Sequence, residues 1–206
     1  LARPRAPDHD AQRDRILALA TAAFAELGYA SASMAQLAQA CGTSKAGLYH
    51  YFPSKEAMLF ESLDRYTRRL VDLAASVRAR GLAPHDELAE LLRALLVEYR
   101  DSRPHHVALL NDVKFLAPEQ RERIKAQERA VVDALSDTLH RVAPGRFAPD
   151  ERRPATMALL GMINFTFAWL RPDGPMSYER YAALVTDLWE HGVAADAAAP
   201  RLRTGT

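Results

Sequence analysis

The residues of this chain best suited to act on a partner are Lys45, Tyr49 and His50, with Ala46 and Gly47 beside them. A cation, a phenol and an imidazole can hydrogen-bond to phosphate oxygens and base edges, and small residues let another surface approach closely. Leu48 and Phe52, four apart, can anchor a short helix to a core while the others point elsewhere. That is the chemistry of a helix entering the major groove of DNA. A polar turn between two helices accounts for the composition as well. One cation and two aromatic rings do not separate the two readings.

The elements around this stretch hold it in place. Gly42 permits a positive φ after the preceding helix, and Thr43 or Ser44 can cap the next one. Pro53 disfavours helical geometry at Phe52, so that helix is short. Ser54 then opens another, with Glu56 in its first turn. Upstream, Ile16, Ala20, Ala23, Phe24 and Leu27 predict a helix over 11–27, stopped by Gly28. Ser33 and Gln36 have capping-box spacing ahead of Leu37, Ala38 and Cys41. The order is helix, helix, tight turn, helix, as in a helix-turn-helix domain over 11–53. Residues 1–10 contain two prolines and little to bury, and read as a flexible arm. Its Arg3 and Arg5 either reach a minor groove or stay idle.

From 54 to 80, Leu59, Leu63, Tyr66, Leu70, Leu73 and Val77 form one apolar stripe on a helix on the order of 30 Å long. Gly81 and Pro84 mark a boundary before a third region, 84–195. There the pattern stays helical, with a helix from Leu88 to Tyr99, another from Pro118 to Val142, a third from Asp150 or Pro154 to Trp169, and a last one capped by Ser177. No β alternation and no internal repeat are visible. The fold class is all-α.

Composition bounds the function. The chain has 206 residues, 49% of them hydrophobic, and no apolar run approaches the roughly 18–20 residues of a bilayer span. The start is rich in Arg, Pro and Asp, unlike a secretory signal. One cysteine allows no internal disulfide and suits the cytoplasm. Net charge is only +1, and residues 1–60 carry six Lys/Arg against five Asp/Glu. DNA affinity would therefore rest on a few placed contacts, doubled by symmetry, rather than on a basic field. No His-Glu-x-x-His, Glu-x-x-His, Gly-x-Ser-x-Gly or Walker motif occurs. His105 and His106, adjacent on a helix, point about 100° apart and do not share a metal. The expectation is a protein that is not an enzyme and has no metal or cofactor.

As a string, the central stretch resembles the recognition helix and following turn of the TetR family of bacterial transcription regulators. The family pattern Ser-Lys-x-x-Leu-Tyr-x-[HY]-Phe-x-[ST/N]-Lys-[ED] finds Ser44, Lys45, Leu48, Tyr49, Tyr51, Phe52, Ser54, Lys55 and Glu56. Tyr29, Ala30 and Ser31 resemble the family's link between its first two helices, so the likeness runs from about Ile16 to Leu59. It implies that Lys45, Tyr49 and His50 read DNA, with Ala46 and Gly47 permitting approach. Phosphate contacts would come from Ser33, Thr43, Ser44, Tyr51 and Lys55.

The resemblance also implies a homodimer built from 154–170 and 177–192 as a four-helix bundle, with Gly161, Phe165, Ala168, Leu184, Leu188 and Trp189 in the interface. The helix to Trp169 is apolar around its circumference, which itself calls for a partner. Two recognition helices would then meet a near-palindromic operator. A small-molecule inducer in the C-terminal region would change the separation of the two heads through the 54–80 helix and release the DNA. Polar residues set among apolar ones are candidates for its site: His105, His106, Asn111, Lys114, Asn164 and Thr166, near Phe115, Phe165 and Phe167. The two histidines as a solvated helix start, and Asn164 bonded to backbone, remain alternatives. The run Asp112–Arg121 resembles a segment of members that answer to acyl-CoA thioesters or related hydrophobic acids. Arg121, Arg123 and Lys125 would then receive phosphates, unless they form a charged face alternating with Glu119 and Glu122. The other reading of the whole chain is a helical small-molecule-binding protein without DNA activity.

Overall fold

A computed structural model describes residues 7–194, and every regular element among them is helical. In order these are α1 (Pro7–Leu27), α2 (Met34–Ala40), α3 (Lys45–Tyr51), α4 (Lys55–Ala79), α5 (Pro84–Asp101), α6 (Arg103–Asp112), a single 3-10 turn (Val113–Phe115), α7 (Pro118–Val142), α8 (Arg152–Asn164), α9 (Thr166–Trp169) and α10 (Tyr178–Ala194). Arg3 and Arg5 lie outside the described residues. Part of the expected arm does not: α1 begins at Pro7, four residues earlier than its apolar periodicity indicates. Proline suits the first helical position, where its missing N–H leaves no bond unmade, and acidic residues nearby suit the helix start.

The chain forms two compact units that do not follow chain order. The first holds the described residues up to Arg69 together with Ser102–Gln127; the second holds Leu70–Asp101 and the described residues from Glu128. Helices α4 and α7 each contribute to both. A turn does occur at the boundary read from sequence, where Gly81 takes a φ of 63°.

In the first unit α1 packs on α2 and α6, and α2 on α3. Ile16, Ala20 and Phe24 meet Leu37, Leu48, Phe52, Met58, Leu59 and Leu63 in a core that excludes solvent. Cys41 belongs to it: its Sγ faces the Ile16 carbonyl at 3.5 Å, and burial pushes the thiol's pKa up. Such a thiol is packing rather than a nucleophile. Polar ties sit at the edge. Arg13 pairs with Glu61, and Arg65 bridges Asp14 and Glu61, each at 2.6 Å. Burial pushes the Glu61 carboxyl up, but the two guanidiniums outweigh it and hold its pKa below the ordinary value. Deeper, Asp64 on α4 accepts both a 2.7 Å and a 3.0 Å bond from Arg123 and a third, at 3.0 Å, from Gln127. This locks α4 to the first half of α7.

In the second unit α5 is the hub, with α8 and α10 packed on it. Leu88, Leu91, Leu92, Leu95 and Leu96 of α5 are buried with Leu159, Leu160 and Ile163 of α8 and Ala182 and Val185 of α10. The buried Glu87 carboxylate accepts a 2.6 Å bond from Thr138 and pairs with Arg141. An isolated carboxylate there would cost several kcal/mol, so the two donors are required.

The single helix expected up to Trp169 is two. At Phe165 the backbone (φ −92°, ψ 11°) leaves α8, and α9 starts at Thr166. There the Thr166 hydroxyl bonds the Ile163 carbonyl at 2.8 Å, offering the backbone an alternative to the helical ladder. Nor is this segment buried all round. Thr156, Leu159, Leu160 and Ile163 face inward, whereas Met157, Gly161, Phe165, Ala168 and Trp169 are exposed.

Candidate DNA-binding surface

Local chemistry sets the geometry of α2 and α3. The Ser33 and Gln36 capping box forms, with Gln36 N–H donating to Ser33 Oγ at 3.3 Å and Ser33 N–H to Gln36 Oε1 at 3.0 Å. Cys41 and Gly42 close α2, and Gly42 takes a φ of 63° that favours glycine. Of the two candidate caps for α3, Ser44 serves: its Oγ accepts from Gly47 N–H at 3.0 Å. Thr43 instead lies against Gly47, and a Cβ on Gly47 would fall 2.5 Å from Thr43 Oγ1. An alanine at 47 would force that hydroxyl to turn away. Small size is needed here on both sides.

With seven residues, α3 has two faces only. Leu48 and the following Phe52 are buried in the core, at 0% and 1% exposure. Lys45, Ala46, Tyr49 and His50 are exposed together on the other side, Tyr49 at 47%. Gly47 and Tyr51 are half-buried between them. The helix thus offers a strip of cation, methyl, phenol and imidazole with its hydrophobic anchors hidden, as a groove-reading helix must.

Lys55 departs from the expectation. Its ammonium donates to the carbonyls of Tyr29 at 2.9 Å, Ala32 at 3.0 Å and Ala30 at 3.4 Å, and sits 4.5 Å over the Tyr29 ring. All three hydrogens are taken up by the α1–α2 link, so Lys55 shapes the domain instead of reaching a phosphate. The Tyr29 ring in turn stacks on Phe115 at 5.0 Å, and Glu56 accepts from Ala117 N–H at 3.1 Å. The turn after α6 therefore docks on the base of the helix-turn-helix. Burial, with the nearby Glu56 and Asp112 carboxylates, pushes the Tyr29 phenol's pKa up.

One neighbour of the strip was not legible in the sequence. His9, in the stretch read as an arm, has its ring 4.9 Å from Tyr51 and 5.8 Å from His50. Its only sequence signal was a histidine close to the first apolar repeat.

The candidate ligand residues do not behave as one set. His106 is buried on α6 and paired with the Tyr66 hydroxyl at 3.1 Å, and the His105 ring lies 5.8 Å from that of Tyr66. His106 is thus a core histidine and His105 is half-buried beside it, not a solvated helix start. Asn111 is exposed and bonds the Val107 carbonyl of its own helix at 2.9 Å. Lys114 is exposed over the Phe115 ring at 5.3 Å, and Phe115 faces Tyr29. All five belong to the first unit, whereas Asn164, Phe165, Thr166 and Phe167 belong to the second. Phe165 stacks on Phe167 at 5.8 Å and is 60% exposed, so it lines a surface and not a cavity. The second unit does contain an open cavity of about 360 Å³, lined by Arg80, Asp86, Glu90, Arg93, Glu179 and Thr186 with small apolar residues. None of the candidates lies in it.

That exposed Phe165 belongs to a larger apolar area. Met157, Trp169, Leu184 and Leu188 are likewise 41–54% exposed on α8, α9 and α10. A Cβ added at Gly161 would meet nothing.

The chain matches two family models, one described as "Bacterial regulatory proteins, tetR family" over residues 16–61 and one as "Tetracyclin repressor-like, C-terminal domain" over 81–193. It belongs to the TetR family. Among curated relatives of this TetR-family regulator is the HTH-type transcriptional repressor KstR2 of Mycolicibacterium smegmatis, 27% identical over 194 residues that cover 87% of this chain and 93% of that one. A TetR-family transcriptional regulator from Bordetella parapertussis superposes with a TM-score of 0.85 at 31% identity, covering 91% of this chain and 98% of that one. AibR, solved with isovaleryl coenzyme A and operator DNA, superposes at 0.75 with 26% identity, covering 86% and 97%. Among the described residues no helix is long and apolar enough to cross a membrane.

Proposed function

We propose that this TetR-family chain is a ligand-responsive repressor that binds a near-palindromic operator as a homodimer in the cytoplasm. The observation that carries the reading is the division of α3, with Leu48 and Phe52 buried and Lys45, Ala46, Tyr49 and His50 exposed as one strip. Lys45, Tyr49 and His50 read base edges and phosphates in the major groove, and Ala46 and Gly47 allow the approach. Ser33, Thr43, Ser44 and Tyr51 supply the remaining phosphate contacts. The near-neutral chain supports this only with two heads acting together, because few cations are on offer.

The second head comes from a second copy. Phe165, Leu184 and Leu188, with Gly161 and Ala168 between them, give an exposed apolar face that two copies bury against each other. Trp189, next to Leu188 on α10, is half-buried with its ring 6.4 Å from that of Phe147, and joins the interface at its edge. The inducer is a small hydrophobic acid or its acyl-CoA thioester. Support for this ligand class comes from AibR, whose structure holds isovaleryl coenzyme A together with operator DNA, and from the resemblance over Asp112–Arg121. To release DNA, the ligand must favour the DNA-incompetent arrangement by a few kcal/mol.

The test is a gel shift with the DNA flanking the chain's own gene at several salt concentrations, repeated with acyl-CoA thioesters. Specific, salt-dependent retardation that a thioester abolishes is expected. Retardation no different from that of unrelated DNA would overturn the repressor. Thermal unfolding against the same thioesters separates the ligand class from the DNA function.

A further inference from the structure

Resting on the DNA-binding reading above, we propose that His9 is an additional DNA-contacting residue. It reaches a backbone phosphate beside the recognition helix and orients His50 and Tyr51 for their own contacts. The His9 ring lies 4.9 Å from Tyr51 at a 37° tilt and 5.8 Å from His50 at 79°, while His50 and Tyr51 are 5.2 Å apart at 84°. Three rings therefore meet where α1 begins and α3 ends. His50 is exposed on the strip of α3 that faces the groove, so an imidazole in ring contact with it borders the same partner. Ring packing of this kind restricts rotamers, and Tyr51 and His50 present settled hydrogen-bonding edges in place of mobile ones.

The cation one turn along α1 from His9 is already committed to the fold. One turn further along, the Arg13 guanidinium lies 4.4 Å over the Phe52 ring and is paired with Glu61. Across from it, Arg65 is held between Asp14 and Glu61. Those cations are taken up by carboxylates of the fold. His9 has Asp10 at 3.4 Å, a long contact to an exposed carboxylate. A phosphate oxygen replaces that contact readily, because an imidazole N–H within 3 Å of an anion makes the stronger hydrogen bond. Phosphate contacts of this kind fix register on the duplex and leave sequence reading to α3.

The experiment uses the full-length protein and its operator, with methylphosphonate, a neutral phosphate isostere, placed in turn at each flanking position. His9→Ala is expected to weaken operator binding about five- to tenfold with only a small drop in the unfolding temperature from the lost ring contacts. His9→Phe keeps the ring contacts and recovers part of that loss. At one flanking position methylphosphonate weakens the wild type but leaves His9→Phe unaffected, which a purely structural role for His9 does not produce. Wild-type affinity in His9→Ala, or an identical response of wild type and His9→Phe at every position, overturns the proposal while the repressor stands. A wild type that binds no specific DNA overturns the repressor itself, and this contact with it.

Discussion

Two exposed regions of the molecule, the strip of α3 and the face of α8 to α10, differ in how their exposure arises. On α3 the exposed groups are polar or small, and the two apolar residues of the segment are hidden. On α8 to α10 the large apolar residues Met157, Phe165, Trp169, Leu184 and Leu188 are exposed, beside charged ones such as Arg153 and Arg180, while threonines such as Thr156, Thr166 and Thr186 are buried. A polar strip is at rest in water and waits for a partner that offers hydrogen bonds. An apolar face is not at rest, and its partner is apolar too. The first suits a nucleic acid and the second a copy of the chain. Each can be broken without the other.

The largest effect is expected on the apolar face. Phe165→Glu or Leu188→Glu places a carboxylate where two copies would meet, and analytical ultracentrifugation should find monomer. Operator affinity should then fall by a factor of roughly 100 or more, because one head lacks the other's contribution. An intact dimer in both variants would remove this face from the assembly. On the polar strip, Tyr49→Ala should weaken operator binding by at least about 1 kcal/mol. Its ultracentrifugation profile and thermal stability should stay those of wild type. Unchanged affinity would take Tyr49 out of the interface.

Lys55→Ala sharpens the boundary of the strip. Removal of a charged donor to three carbonyls should cost about 1–2 kcal/mol of stability in chemical denaturation. The salt dependence of DNA binding should not change, since no phosphate contact is lost. A shallower salt slope would return Lys55 to the phosphate-contacting set. The smallest effect belongs to a site on neither region. The hydrogen bond from Arg93, followed by that from Arg80, holds the Glu90 carboxyl down to about 2 against burial. A depressed carboxylate pKa stabilises the fold above the unfolded value near 4.5 and loses that contribution as pH falls toward 2. The stability gap between wild type and Glu90→Gln should be full at neutral pH, stay below about 1 kcal/mol because the group is solvent-screened, and close between those two values. A gap independent of pH would refute the pairing.

Much of the first unit was legible because its signals are local. A capping box spans four residues, a positive-φ glycine acts on its own backbone, and anchors four apart share a helix face whatever surrounds them. So Ser33, Gly42, Leu48 and Phe52 could be placed in advance, and the cap of α3 narrowed to Thr43 or Ser44. The start of α1 and the break at Phe165 were not, because Pro7 is compatible with both arm and helix, and Thr166 back-bonding competes with the ladder only by a small margin. The ligand candidates were weakest. Polar residues among apolar ones describe both a pocket and an ordinary core or rim, and only burial separates His106 from Asn111.

The sequence by itself therefore determined an all-helical chain, the polar side of α3 and the family, since each rests on residue types within a turn or two of one another. Only the tertiary structure decided that Lys55 braces the α1–α2 link, that His9 joins Tyr51 and His50, and which side of α8 stays open to solvent. Those facts depend on residues brought together from distant parts of the chain, and contacts of that kind leave no local spacing to read.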